Sequence, residues 1–296
     1  MPFFRNVVRG FLMGSADVVP GVSGGTVALV LGIYERLVAA IHAGSRALGS
    51  ALRGRFGDAR QRLEEVEWGL LVPLLVGIAL AVFTLASLIS HLLDDQPQNT
   101  AAAFFGLVLG SIVIAWRLVG RWDGIRVVTG LAVAVAAFLI LGLRGDPVVD
   151  PALPVYLGAG AIAIVAMILP GISGSFILLM LGMYQNVIDA VDERKMLVLV
   201  VFLVGVIIGL ASFSSLLNRL LRDHHDTMMA ALIGLMLGSL RVLWPWPDGA
   251  DTAALARPVD WGGPVLLAIA GFAVVSAIGW VAGRNVTRLP SPATQD

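Results

Sequence analysis

Apolar residues run along this chain in long blocks rather than in the i, i+3, i+4 spacing of a helix with one wet face. A helix needs about 20 apolar residues to cross a bilayer, and six unbroken blocks are read as spans, at 68–92, 100–119, 127–143, 197–220, 228–243 and 264–282. The remaining apolar material lies in two interrupted stretches, 3–41 and 154–191. The first reads GSADVVPGVSGGTVALVLGIYE over 14–35, and the second MILPGISGSFILLMLGMYQ over 167–185. Pro20 and Gly21, and again Pro170 and Gly171, cannot sit inside a regular helix without kinking it, which marks both pairs as hinges. Each break is followed by an apolar helix ending in Gly-x-Tyr. The pieces beside each break are about 16 residues long, too short to cross comfortably and suited to a re-entrant hairpin.

The two stretches belong to a longer repeat. Pro20, Ser23 and Gly32-Ile33-Tyr34 match Pro170, Ser173 and Gly182-Met183-Tyr184 at an offset of 150. Further on, residues 105–111 match 233–239, and Trp116 matches Trp244, at an offset of 128. The missing 22 residues fall in one polar loop, 42–67, which the second half shortens to about 192–195. An indel confined to a loop is what duplication leaves behind. The expectation is an all-α integral membrane protein of one domain, 1–296, with repeat one at 1–143, repeat two at 152–283 and a tail at 284–296. Each half is a re-entrant hairpin plus three transmembrane helices, and three being odd, the halves form an inverted-topology repeat.

Charge placement tests that threading. It puts fourteen basic residues on one side, among them Arg5, Arg9, Arg46 to Arg62, Arg117, Arg126 and Arg222, and four on the other. The positive-inside rule then places loop 42–67 and both termini in the cytoplasm of a cell with this protein in its inner membrane. The arginines ahead of the first apolar run resemble a signal peptide, but no small-x-small cleavage site follows, so the segment is expected to be retained. Composition agrees with a polytopic chain: 58% of the 296 residues are hydrophobic and 14% charged, with a mean hydropathy of +0.89, against about 25% charged in soluble domains. The zero net charge gives no footing for a nucleic-acid partner, and the absence of cysteine excludes disulfides, thiolate metal sites and cysteine nucleophiles. No metal site and no cofactor is expected.

Discontinuous helices in inverted repeats mark transporters whose site lies near the midplane. The chemistry expected here is anion binding. A helix starting at Pro-Gly-x-Ser-Gly presents unpaired N–H groups and the positive end of its dipole, and glycine lets a ligand approach the backbone. Ser23, Gly24, Gly25 and Thr26, with Ser173, Gly174 and Ser175, are the candidate substrate-binding residues. The competing reading is that small residues merely pack helices closely. Ionisable groups inside the apolar segments are costly and therefore functional candidates. Asp17 precedes Pro20 where the second half has Met167, and Glu35 and Arg36 follow Tyr34 where it has Gln185 and Asn186. Asp17 or Glu35 is a candidate for proton coupling, although Asp17 can also cap the break by accepting N–H groups beyond it. Arg241 can offer a guanidinium fork to a phosphate, or snorkel to headgroups.

Residues 13–37, MGSADVVPGVSGGTVALVLGIYERL, and 168–188, ILPGISGSFILLMLGMYQNVI, resemble the polyprenyl-phosphate translocases, and the resemblance spans essentially the whole chain. It implies transport of undecaprenyl phosphate, the carrier lipid of bacterial envelope synthesis, from the outer to the cytoplasmic leaflet. Membrane lipids are expected partners as well. The residues alone leave a transporter or channel for a small inorganic anion open. A membrane undecaprenyl-pyrophosphate phosphatase is the enzymatic alternative. Its turn carries Pro-Gly-x-Ser-Arg-Ser with an arginine clamp, and here Gly24 and Gly174 stand where that arginine would be.

Overall fold

The computed structural model describes residues 2–19, 21–250 and 255–286, and among these the regular structure is helical throughout. Pro20 and most of the 284–296 tail lie outside the described residues. The first half comprises α1 (Pro2–Asp17), α2 (Gly24–Val30), α3 (Tyr34–Leu52), α4 (Phe56–Glu64), α5 (Trp68–Asp95), α6 (Pro97–Trp116) and α7 (Gly124–Ile140). The second comprises α8 (Leu153–Ile168), α9 (Gly174–Met180), α10 (Tyr184–Asp192), α11 (Met196–Asp223), α12 (His225–Ser239) and α13 (Gly262–Val286). Apart from α4 the two orders correspond element by element.

The six expected spans correspond to the helices α5, α6, α7, α11, α12 and α13. Four of them are long and apolar enough to cross a membrane, while α7 is shorter at 17 residues and α12 at 15. The span read as 228–243 ends as helix at Ser239. The chain then advances by i to i+3 hydrogen bonds, from Leu240 N–H to Leu237 C=O through to Leu243 N–H to Leu240 C=O. Within the polar stretch 42–67, α3 continues through His42 to Leu52, and α4 fills most of the remainder.

Close helix pairs rest on glycines, the device membrane helices use when no water drives association. A Cβ on Gly10 would lie 2.1 Å from the Leu74 carbonyl oxygen, and one on Gly77 2.1 Å from that of Val7. Gly14 faces Ile78 and Ala81 in the same way, so α1 and α5 run parallel with α1 ending beside the middle of α5. Gly160 against Phe202 and Gly205 against Leu157 build the corresponding α8–α11 pair. Gly10 and Gly160 are 150 apart and Gly77 and Gly205 are 128 apart, the two offsets of the repeat. Gly106 and Gly110 meet Ala268 and Phe272, which sets α6 parallel to α13, and Gly234 and Gly238 meet Gly130 and Ala134, which sets α12 parallel to α7.

Polar contacts fix which helix ends lie together. Asn6 at the start of α1 donates to the Gly69 carbonyl at the start of α5, 2.9 Å. Arg36 pairs with Glu67, and its neighbour Glu35 lies 2.9 Å from His225 at the start of α12. Asp226 accepts from Gly120 N–H at 3.1 Å and Arg121 N–H at 3.2 Å, just past the end of α6, and lies 3.5 Å from Arg126 at the start of α7. These ends form one arginine-rich face. At the other, Thr100 donates to the Leu92 carbonyl where α5 turns into α6, and Gly145 N–H and Val148 N–H, beyond α7, donate to the Met180 and Gly182 carbonyls at the end of α9. Thus α12 begins beside the end of α6.

Candidate functional site

The two Pro-Gly breaks meet in the interior. Gly21 and Gly171 adopt φ of 80° and 88°, a left-handed conformation that a residue with a Cβ takes only under strain. Past the first break, Ser23 is extended (φ −131°, ψ 136°) and caps α2, its hydroxyl oxygen accepting from Gly25 N–H at 3.1 Å. The same hydroxyl donates across the repeat to the Met167 carbonyl at 3.3 Å. Thr26, fully buried, accepts at its Oγ1 from Gly171 N–H at 2.9 Å. The Tyr34 hydroxyl donates to the Ile168 carbonyl at 3.2 Å. Three side chains of the first half therefore satisfy backbone groups that the second break leaves without helical partners.

Asp17 takes the remaining position at the start of α2. Its Oδ1 accepts from Gly24 N–H at 2.6 Å, and a Cβ on Gly24 would lie 2.5 Å from Oδ2, so only glycine lets the carboxylate sit there. The repeat mate of Asp17, Met167, brings no charge to α9. There Ser173 caps nothing with its side chain; its hydroxyl is 2.8 Å from that of Ser175.

Beside this junction lies a cavity of about 330 Å³, of the size that small-ligand sites occupy. Asp17, Gly24, Gly25 and Tyr34 form its polar end. Met13, Leu37, Leu75, Ile78, Ile164 and Leu210 are among its apolar walls. A site so divided suits an amphiphile with a small polar head and a hydrocarbon chain. Because Gly14 abuts Ile78 and Ala81, the polar end stands near the middle of the 28-residue α5.

Among the expected site residues, Asp17, Ser23, Gly24, Gly25, Thr26, Gly21 and Gly171 come together, with Pro170, Ser173, Gly174 and Ser175 on the adjoining turn; Pro20 is outside the described residues. Three stand elsewhere. Glu35 and Arg36 are half-exposed in ion pairs with His225 and Glu67 on the arginine-rich face. Arg241 sits 4.7 Å over the Phe138 ring and lines a separate cavity of about 350 Å³ with Phe105 and Trp244, while its neighbour Val242 packs at Gly21. The sequence reading missed the role of Tyr34. The signal for it was a phenol in apolar surroundings, which needs a hydrogen-bond partner.

The exposed ion pair of Glu35 is expected to stabilise little, about 0–1 kcal/mol. Glu35→Gln should leave the melting temperature within a few degrees of wild type, and a large loss would show that the tie to His225 carries the fold.

A family model described as undecaprenyl phosphate translocase-like matches residues 13–257. A polyprenyl-phosphate transporter of Vibrio cholerae serotype O1 is 41% identical over 254 residues, which is 84% of this chain and 80% of that protein. A polyprenyl-phosphate transporter of Staphylococcus aureus is 30% identical over 299 residues, 95% of this chain and 97% of that protein. No solved structure is a significant match. With matched breaks, matched glycine crossings and relatives that cover most of its length, the chain belongs to the undecaprenyl phosphate translocase-like family.

Proposed function

We propose that this protein transports a polyprenyl phosphate, undecaprenyl phosphate in particular, carrying it from the outer to the cytoplasmic leaflet of a bacterial inner membrane. The observation that carries the reading is the divided cavity: a polar end where the two breaks meet, at mid-span, and apolar walls leading from it. The names of the two relatives support the substrate class. Inversion of the halves is supported by the opposed directions of α6 and α12, and by the hairpins α1–α2 and α8–α9, whose continuations reach opposite ends of the bundle. The arginine-rich end, which holds Arg117, Arg126 and Arg222, is then the cytoplasmic one.

In this reading Asp17 competes with the substrate. Its carboxylate holds the Gly24 N–H that a phosphate would use, and two anions cannot share one donor. Headgroup binding requires Asp17 to release that N–H, and release by protonation of the carboxylate couples lipid movement to a proton. Asp17→Asn keeps an acceptor for Gly24 but cannot ionise, and is expected to give transfer that no longer varies with pH. Asp17→Ala leaves a buried N–H unpartnered, a loss of about 1–3 kcal/mol.

The test is transfer of labelled undecaprenyl phosphate between leaflets of reconstituted liposomes, with entrapped inorganic phosphate measured in parallel. Lipid transfer should exceed protein-free vesicles and fall about tenfold with Asp17→Ala, which leaves no carboxylate to displace the bound headgroup and release it. Glu35→Ala and Arg241→Ala, which alter no wall of the cavity, should slow it less. Passage of inorganic phosphate without lipid transfer would make the protein an anion channel.

A further inference from the structure

The strap formed by α3 and α4 has no counterpart of its length in the second half, where α10 has 9 residues and leads straight to α11. Its elbow closes at Gly54, with φ of 73°, Gly54 N–H donating to the Ala51 carbonyl and Arg55 N–H to that of Ser50. On this elbow Leu48, Leu52 and Phe56 are 41%, 77% and 72% exposed. Between and beside them stand Arg46, Arg53 and Arg55, all exposed, and none forms an ion pair among the described residues. Apolar side chains spaced by four and flanked by unpaired arginines suit neither bulk water nor a hydrocarbon interior. They suit the boundary between them, where apolar groups enter the acyl layer and guanidinium groups meet phosphates.

The strap is also tied to two spans toward their ends on the arginine-rich face. The Trp68 indole at the start of α5 donates to the Leu63 carbonyl of α4 at 2.8 Å, holding the strap to a span end where an interfacial tryptophan belongs. On the other side His42 Nδ1 is 3.0 Å from Ser215 Oγ, and Ser45 Oγ is 3.4 Å from Ser214 Oγ. With 28 residues α11 is about 42 Å long and exceeds a hydrocarbon core of about 30 Å by roughly 6 Å at each end. Ser214 then falls several ångströms inside the acyl boundary, the depth at which interfacial helices bury their apolar face.

We infer that the α3–α4 elbow is a binding surface for anionic phospholipid headgroups, with Leu48, Leu52 and Phe56 inserted and Arg46, Arg53 and Arg55 on the phosphates. The same helix carries Leu37, Val38 and Ile41 into the wall of the central cavity, so the surface tethers that wall to the leaflet.

Because the chain has no cysteine, Phe56→Cys gives a single attachment point for an environment-sensitive fluorophore. Reconstituted in vesicles containing phosphatidylglycerol, the label should emit as in an apolar medium and be quenched by lipids spin-labelled near the headgroup. Each arginine of Arg46, Arg53 and Arg55 changed to Gln should lower the inserted-to-withdrawn ratio about fivefold, and salt should act in the same direction. Aqueous emission with full quenching by iodide would overturn the proposal. Equal insertion in phosphatidylcholine, unaffected by the three Gln changes, would overturn the part played by anionic lipid. A signal lost on dilution to one copy per vesicle would assign the surface to a second copy instead. None of these readouts involves polyprenyl phosphate, so the result is independent of the transport reading.

Discussion

Gly77→Val is expected to yield no folded protein. A Cβ at position 77 would stand 2.1 Å from the Val7 carbonyl oxygen and 2.6 Å from the Phe11 nitrogen, both backbone atoms of α1. Ordinary contact needs more than an ångström of extra separation, and neither atom can rotate aside as the end of a side chain would. Parting the helices there also opens the Gly10–Leu74 and Gly14–Ile78 crossings, because one line of contacts holds the whole length of α1. Overpacking in a soft core costs about 1–3 kcal/mol; a rigid crossing belongs among the exceptional losses above about 4 kcal/mol. The check is the yield of monodisperse protein in detergent and its thermal unfolding. Gly69→Ala is the control, since Gly69 lies on the same helix with nothing near its added methyl, and it should be neutral or slightly stabilising. Wild-type stability in Gly77→Val would mean that α1 does not lie against α5, and the depth assigned to Asp17 would go with it.

Thr26→Val should separate the two breaks while leaving the volume of the side chain almost unchanged. Thr26 Oγ1 is the acceptor for Gly171 N–H, which sits in a turn with no helical carbonyl to use instead. Valine leaves that N–H buried and unsatisfied, about 1–3 kcal/mol. The loss falls on the junction that forms the polar end of the cavity, so lipid transfer should drop about tenfold at a temperature where the protein remains folded. Thr26→Ser restores the oxygen and should recover most of the rate. If Thr26→Val lowers the melting temperature but transfers lipid at the wild-type rate, the link between the breaks is structural and the headgroup passes elsewhere.

Much of this architecture is legible in the residues because the bilayer permits so few solutions. An apolar block of about 20 residues has only the helix to adopt, and the two Pro-Gly pairs announce their own breaks. The repeat offsets of 150 and 128 locate the indel, and the same offsets join Gly10 to Gly160 and Gly77 to Gly205. What the sequence could not carry was the pairing of helices, since a glycine records that something comes close without recording what. The stretch 42–67 is polar because one side of each of its helices is wet: Arg46 on α3 and Arg60 on α4 are exposed, while Ala43, Ala47 and Ala59 on the same helices are buried. Arg241 and Glu35 were drawn to the site by their cost in a membrane. The first lines another cavity, its guanidinium over the Phe138 ring, and the second stands at the surface beside His225. Asp17 was placed at the break for either of two reasons, and its bond to Gly24 is the geometry both reasons share.

The most direct test of the central claim is where a headgroup touches the chain. A polyprenyl phosphate bearing a photoreactive group next to the phosphate, activated in proteoliposomes and followed by peptide mapping, should label the junction of the breaks: Asp17 to Gly25, Tyr34, and Met167 to Gly171. The corresponding polyprenol, lacking the phosphate, should not. Labelling confined to the lipid-facing sides of α5 and α13, or equal labelling by the alcohol, would contradict the account.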